Sequence, residues 1–187
     1  MFRAVLDTCV LVPALKRDFL LQLAAELAYA PLWGTGILYE LDYVLARLNH
    51  PAERRKWILQ NMREAFPGAA ITAPKTGVYH YDVKDPDDAH VAHAAIMGKA
   101  DAIVTDDRRS GMESSEVLKA AAVEVLNTAD FAANTVDAHP EASHAAIEAI
   151  AARRKRPPTT AMDLLVHLRD RYAMAEVYEM LEPYIRK

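Results

Sequence analysis

Acidic side chains mark four separate places in this chain where chemistry could be done. Asp7 directly follows an apolar run, Glu40 lies early in an amphipathic segment, Asp88 opens an alanine-rich segment, and Asp107 follows a second apolar run. We find no matching cysteine or lysine beside these acids. Oxygen-only acidic sites select hard divalent cations, so the set predicts a site for Mg²⁺ or Mn²⁺.

An ion held by such acids has a defined use on nucleic acid. Two carboxylates about 4 Å apart repel by about 4 kcal/mol at an effective dielectric constant of about 20, so several on one edge call for a cation. A divalent ion in such a site activates water and stabilises charge on a phosphodiester. We therefore expect hydrolysis of a phosphodiester without a covalent protein intermediate.

The sequence DPDDAHVAHAAI carries the densest group of acids. Asp85 is the predicted N-cap of a helix, and the Pro after it suits the first helical position. Capping uses one or two acids, so at least one carboxylate among Asp85, Asp87 and Asp88 is expected to face a cation; a solvated, acid-rich helix start is the alternative. His90 and His93 are interpreted as packed or surface residues, because cysteine partners for a transition metal are lacking.

The elements that must position these acids alternate along the chain. Apolar runs predict strands at 2–6, 31–33, 69–72, 100–105 and 123–126. Helical periodicity predicts helices at 18–29, with Asp18 as N-cap, and at 35–49, 51–66, 86–96 and 116–121. This alternation indicates an α/β fold with a central parallel sheet and helices on both faces. Strand carboxyl ends then meet at one edge, where Asp7 and the Asp106–Asp107 pair are expected to converge, joined by Asp88 if a strand precedes its helix.

Beyond about residue 130 the pattern becomes purely helical. We predict an α/β domain at 1–130 and a small helical extension at 131–187. Thr128 is the expected cap of a short helix, and Thr160 with Asp163 matches a capping box before two amphipathic helices. The basic run 153–156 is interpreted as a helix C-terminus favoured by the dipole, with contact to RNA or a protein as the alternative.

Composition narrows the classes of protein to which this chain could belong. The chain has 187 residues, a net charge of −4 and one cysteine, Cys9, so it forms no internal disulfide and suits a reducing compartment. Cys9 lacks an Arg six residues later, which excludes a cysteine-phosphatase loop, and is interpreted as a small packed residue. With neither an apolar run near the ~20 residues of a membrane span nor a signal peptide, we expect a soluble cytoplasmic protein without membrane contact.

Four segments together resemble the ordered acidic motifs of the PIN domain, and most closely those of VapC-type toxins of type II toxin–antitoxin modules. They are VLDTCVL, LYEL, DPDDAHVAHAA and DAIVTDD. By this resemblance, Asp7, Glu40, Asp88 and Asp107 are the catalytic, metal-binding acids. Asp106 is the other candidate for the fourth ligand.

The resemblance implies a three-layer α/β/α domain and a Mg²⁺- or Mn²⁺-dependent endoribonuclease, often dimeric, whose site a cognate antitoxin blocks. The chain departs from the family at Cys9, where Asn is common, and in its extension. Basic residues among 54–63, with Arg108 and Arg109, are expected to bind the RNA backbone. The alternatives are a non-catalytic RNA- or protein-binding PIN module and a DNA or structure-specific nuclease.

Overall fold

A five-stranded parallel sheet is the central element of the computed structural model, which describes residues 1–186. Its strands are β1 (Arg3–Leu6), β2 (Ala30–Gly34), β3 (Ala70–Ile71), β4 (Ala102–Val104) and β5 (Glu124–Leu126). Their spatial order is β3-β2-β1-β4-β5, and every neighbouring pair is parallel. The three residues of β4 are fully buried, as expected for a short apolar run at the centre of a parallel sheet. The predicted α/β class with flanking helices is confirmed.

Helices connect and follow the strands. They are α1 (Thr8–Leu11), α2 (Ala14–Ala25), α3 (Thr35–Arg47), α4 (Ala52–Ala65), α5 (Ala89–Gly98), α6 (Glu116–Ala120), α7 (Thr128–Ala138), α8 (Pro140–Arg153), α9 (Ala161–Tyr172) and α10 (Ala175–Ile185). Two predicted starts are wrong. Helix α2 begins after Pro13 and not at Asp18, and α7 is capped by the Asn127 side chain and not by Thr128. Within residues 1–186, no helix has the length and apolarity needed to cross a membrane.

The sheet unit comprises residues 2–12 and 30–126. Helix α5 packs on β1, β2 and β4, and α3 packs against α1, α4 and β2. The buried face of α5 is made of small residues, including Ala92 and Ala95, which let the helix lie close to the strands. At the end of α5, a Cβ on Gly98 would come within 2.9 Å of Leu32 Cδ1, so a larger residue there would make the Leu32 side chain shift.

The acidic turn before α5 differs from the prediction in its geometry. Asp85 is an N-cap, as predicted, and its carboxylate accepts a 3.0 Å hydrogen bond from the Asp87 backbone N–H. The turn it caps is a 3-10 turn over Pro86–Asp88, and α5 itself begins at Ala89. Residues 72–85 before this turn form neither strand nor helix, so no strand directly precedes the acids.

The helical unit comprises residues 13–29 and the described residues from Asn127 onward. Helix α8 packs against α2, and α10 packs against α7, α8 and α9. The basic run contacts its own unit, since Arg153 donates to Gln22 and Arg154 pairs with Asp18 at 3.3 Å. This unit includes α2 together with the C-terminal helices. The predicted division of the chain into domains at residue 130 stays a prediction.

The predicted capping box at the start of α9 is confirmed. The Thr160 hydroxyl accepts from the Asp163 backbone N–H at 3.1 Å, and the Asp163 carboxylate accepts from the Thr160 N–H at 2.9 Å. Thr160→Ala should lower the free energy of unfolding by about 1 kcal/mol, measured by chemical denaturation, because the Asp163 backbone N–H loses the hydroxyl that accepts from it. Thr160→Ser should retain wild-type stability. Equal stability of the Ala variant and the wild type would contradict a capping role.

Candidate active site at the carboxyl edge of the sheet

The strand order creates a crevice at one place on the sheet. The chain builds outward from β1 to β2 and β3, then returns to the other side of β1 with β4 and β5. Ligands of open parallel sheets bind at such a reversal, outside the carboxyl ends of the two strands. Leu6 pairs with Val104 across β1 and β4, so Asp7 and Thr105 are the next residues at that edge.

Asp7 is held at this edge by neutral donors. Its Oδ2 accepts from the Thr105 hydroxyl at 2.7 Å and from the Cys9 thiol at 3.3 Å, and its Oδ1 accepts from the Thr8 N–H at 2.6 Å. The residue is 6% exposed. Burial raises the pKa of Asp7 above its ordinary value, and these hydrogen bonds oppose the rise while the charge of Glu40 adds to it.

Cys9 is a direct neighbour of this acid, so the expectation that no cysteine lies beside the acids is wrong. Its sulfur also lies 3.4 Å from the Thr105 hydroxyl and accepts from the Asp106 N–H at 3.3 Å. Burial and the negative charge of Asp7 raise the pKa of Cys9 to about 12. Cys9 therefore serves as a neutral, half-buried thiol donor at neutral pH.

Asp107 is tied to the same hydroxyl from the far side. Its backbone N–H donates to Thr105 Oγ1 at 3.1 Å, which joins the end of β4 to Asp7. Its carboxylate caps the 3-10 turn over Arg108–Ser110 by accepting from the Arg109 N–H at 2.8 Å, and this bond lowers the pKa of Asp107. Asp106 is exposed, and its backbone N–H donates to the Cys9 sulfur.

Glu40 reaches the site from α3 and is surrounded by donors. The Thr8 hydroxyl donates to its Oε2 at 2.9 Å, and the Lys75 ammonium contacts its Oε1. His90 Nε2 lies 3.4 Å from Oε2. Burial alone raises the pKa of Glu40, but the contacts with His90, Lys75 and Thr8 outweigh burial and lower it to about 2. Glu40 is thus ionised at every physiological pH.

Lys75 and His90 both lie beside the Glu40 carboxylate, and the sequence analysis placed neither of them there. The prediction that no lysine lies beside the acids is wrong, because Lys75 contacts Glu40. Lys75 lies in the irregular stretch 72–85, which has no periodic pattern in the sequence. His90 is packed, as predicted, with 1% exposure. Its Nδ1 donates to the Asp87 carbonyl at 2.8 Å, and its Nε2, 3.4 Å from Glu40 Oε2, has no hydrogen bond from residues 1–186.

Asp88 is the acid that interacts with the charges of all the other predicted site acids. As the residue before α5 it makes no side-chain capping bond. Burial, followed by the charges of Asp7, Asp85, Asp107 and Glu40, raises the pKa of Asp88 to about 6. The charges of the other three predicted site acids therefore reach Asp88 at this edge of the sheet.

The contacts form one continuous chain across the edge. It runs from Asp107 through Thr105 to Asp7, and then through Thr8 to Oε2 of Glu40, whose other oxygen contacts Lys75. Within residues 1–186, however, no three His, Cys, Asp or Glu side chains are arranged so that they could hold a metal ion. The acids are near enough to affect the pKa of Asp88, but their side chains do not converge on one ion position.

Comparison with protein families agrees with this architecture. The family described as the PIN domain matches residues 3–109, more than half of the chain, so the chain belongs to the PIN-domain family. The family described as the VapC50 C-terminal domain matches residues 129–176, which identifies the VapC-type branch. The predicted family is therefore confirmed. Neither a curated protein nor a solved structure gives a match.

The raised pKa of Asp88 makes stability depend on pH. Because folding favours the protonated acid, its contribution is full below about pH 4 and is lost as the pH rises through about 6. In EDTA, Asp88→Asn should raise the free energy of unfolding at pH 7 by about 1 kcal/mol, after allowance for solvent screening, and should flatten its pH dependence.

Chemical denaturation across this pH range tests the expectation. Asp87→Asn, one position away and exposed, is the matched control and should retain the wild-type pH dependence. A clear loss of stability in Asp88→Asn without metal would instead make Asp88 a structural residue.

Proposed function

We propose that this protein is a metal-dependent endoribonuclease acting as the toxin of a type II toxin–antitoxin pair. The observation that carries the proposal is the chain of contacts and charges that links Asp7, Glu40, Asp88 and Asp107 at the carboxyl edge of β1 and β4. A structural role alone gives no reason to gather four carboxylates in a partly buried crevice, since their mutual repulsion opposes folding.

The donor set fits a hard divalent cation. Three aspartates and one glutamate supply only oxygen, and the neutral thiol of Cys9 donates to Asp7 without adding charge. Asp7, Asp88 and Asp107 would hold Mg²⁺ or Mn²⁺, with Glu40 direct or through water. When bound, such an ion supplies a nucleophile from water and stabilises charge on the phosphodiester.

The protein's own residues would orient these groups and the substrate. The Thr105 hydroxyl fixes Asp7, and the Thr8 hydroxyl fixes Glu40, so both carboxylates keep a set direction as RNA enters. Arg109, 91% exposed beside Asp107, is available to the RNA backbone together with Arg108. Basic residues of α4 from Arg54 to Arg63 would extend this contact.

The VapC-type family supports two partners. One is the RNA substrate, and the other is a cognate antitoxin protein that blocks the acidic edge. We further propose that the protein acts in the cytoplasm and forms a homodimer. Mass measurement of the purified protein in solution tests the dimer.

A non-catalytic RNA- or protein-binding PIN module is the second candidate. The contacts of Glu40 favour it, because Lys75 already contacts Oε1 while Thr8 and His90 lie at Oε2. A DNA nuclease would use the same acids. Parallel incubations with RNA and DNA, each with Mn²⁺ and with EDTA, separate these three functions.

Asp7→Asn should reduce Mn²⁺-dependent cleavage of total RNA at least about a hundredfold, because Asp7 is the acid that the neutral donors hold in place. The measurement is the rate of cut-end formation, mapped by sequencing. Asp137→Asn, an exposed acid on α7, is the matched control and should cleave like the wild type.

Full activity of Asp7→Asn would remove Asp7 from the site. Cleavage that persists in EDTA would contradict metal dependence. No cleavage of RNA or DNA by the wild type under any condition, with retained RNA binding, would favour the non-catalytic module.

A further inference from the structure

Lys75 brings a positive charge to an otherwise acidic edge. It lies in the irregular stretch that follows β3, and its ammonium contacts Glu40 Oε1. Its pairing differs from that of Arg109 with Asp107, since the side chain of Arg109 is 91% exposed and that of Lys75 is 32% exposed. Largely exposed ion pairs hold their geometry weakly, so Lys75 is the better positioned of the two cations.

The backbone before Lys75 is fastened to the helix that carries Glu40. The Ala73 N–H donates to Thr35 Oγ1 at 3.1 Å, and the Gly36 N–H donates to the Ala73 carbonyl at 2.8 Å. A Cβ on Gly36 would lie 2.8 Å from the backbone nitrogen of Lys75, so only glycine permits this approach of the two backbones. Lys75 and Glu40 therefore keep their separation because both are attached to α3.

The backbone is also fixed on the residue adjacent to Lys75. The Pro74 carbonyl accepts from the Tyr79 hydroxyl at 2.8 Å and from the Gly77 N–H at 3.0 Å. These bonds define the turn in which Lys75 lies. Its side chain nevertheless remains about one third exposed, so a ligand can reach the ammonium.

The charges of the edge define what that ligand is. A phosphate group that approaches Asp7, Asp88 and Asp107 meets three negative charges, and it needs a fixed cation to offset them. An ammonium has three N–H donors, so the contact with Glu40 leaves donors for a second anion. We propose that Lys75 binds a phosphate of the RNA at the acidic edge, with Glu40 as the residue that positions its ammonium.

This inference rests on the proposed function, since it takes RNA as the ligand. Lys75→Gln should bind a short fluorescent single-stranded RNA about fivefold more weakly at about 0.1 M salt, in EDTA, because one phosphate contact is lost. The magnitude of the slope of log affinity against log salt concentration should fall by about 0.7, as measured by fluorescence anisotropy. A purely structural role for Lys75 would leave this slope unchanged.

Two variants serve as matched controls. Lys75→Arg keeps the positive charge and should restore the wild-type slope. Lys119→Gln removes an exposed lysine of α6 that pairs with Glu116, and it should bind RNA like the wild type. An unchanged slope in Lys75→Gln, or an equal loss in Lys119→Gln, would overturn the proposal.

A double-mutant cycle separates phosphate binding from mere pairing with Glu40. If Lys75 binds phosphate, Lys75→Gln weakens RNA binding in the wild type and, to a smaller extent, in the Glu40→Gln background, where the ammonium is no longer positioned. If Lys75 only neutralises Glu40, its effect disappears once Glu40 is uncharged, and the proposal fails.

A measurement on the wild type covers the case in which Lys75→Gln does not fold. Bound RNA should slow chemical acetylation of Lys75 and leave Lys119 unaffected, as read by mass spectrometry of peptides. Equal acetylation of Lys75 with and without RNA would contradict the contact. Both tests read binding in EDTA, so a wild type that binds RNA through Lys75 but does not cleave it when Mn²⁺ is supplied would end the nuclease proposal and leave this one standing.

Discussion

Repulsion among carboxylates at the carboxyl ends of β1 and β4 is the constraint on which the candidate site depends. The strand order reverses between these two strands, so residues almost a hundred positions apart become neighbours. Asp7 is buried at that point, and the charge of Asp107 adds to that of Asp88 across the same crevice. Such crowding opposes folding, so the fold retains it only with strong local support.

The protein supports each acid in a different way. Neutral donors, the hydroxyl of Thr105 and the thiol of Cys9, hold Asp7 and leave its charge uncompensated. Glu40 instead meets the cation of Lys75, and its pKa falls to about 2. Asp88 has no capping bond and takes the largest share of the repulsion. The negative charge of Glu40 is therefore balanced by a nearby cation, whereas that of Asp88 is not. An added cation would stabilise the site most beside Asp88.

Much of this arrangement could be predicted from the sequence, because short-range patterns encode it. The apolar runs that end at Asp7 and near Asp107 predict buried parallel strands, and the topology of such sheets brings their ends together. Lys75 could not be predicted, since its position depends on backbone bonds between an irregular segment and Thr35 in α3. The Asn127 cap was missed because a Thr beside it is an equally acceptable capping residue.

Thermal unfolding with and without Mn²⁺ tests the central claim most directly. If the crowded acids form a cation site, saturating Mn²⁺ should stabilise the wild type, by about 2.7 kcal/mol at a hundred times the dissociation constant. The Asp7→Asn/Asp88→Asn double variant should gain nothing from Mn²⁺. Equal stabilisation of both proteins, or none in the wild type, would contradict the account.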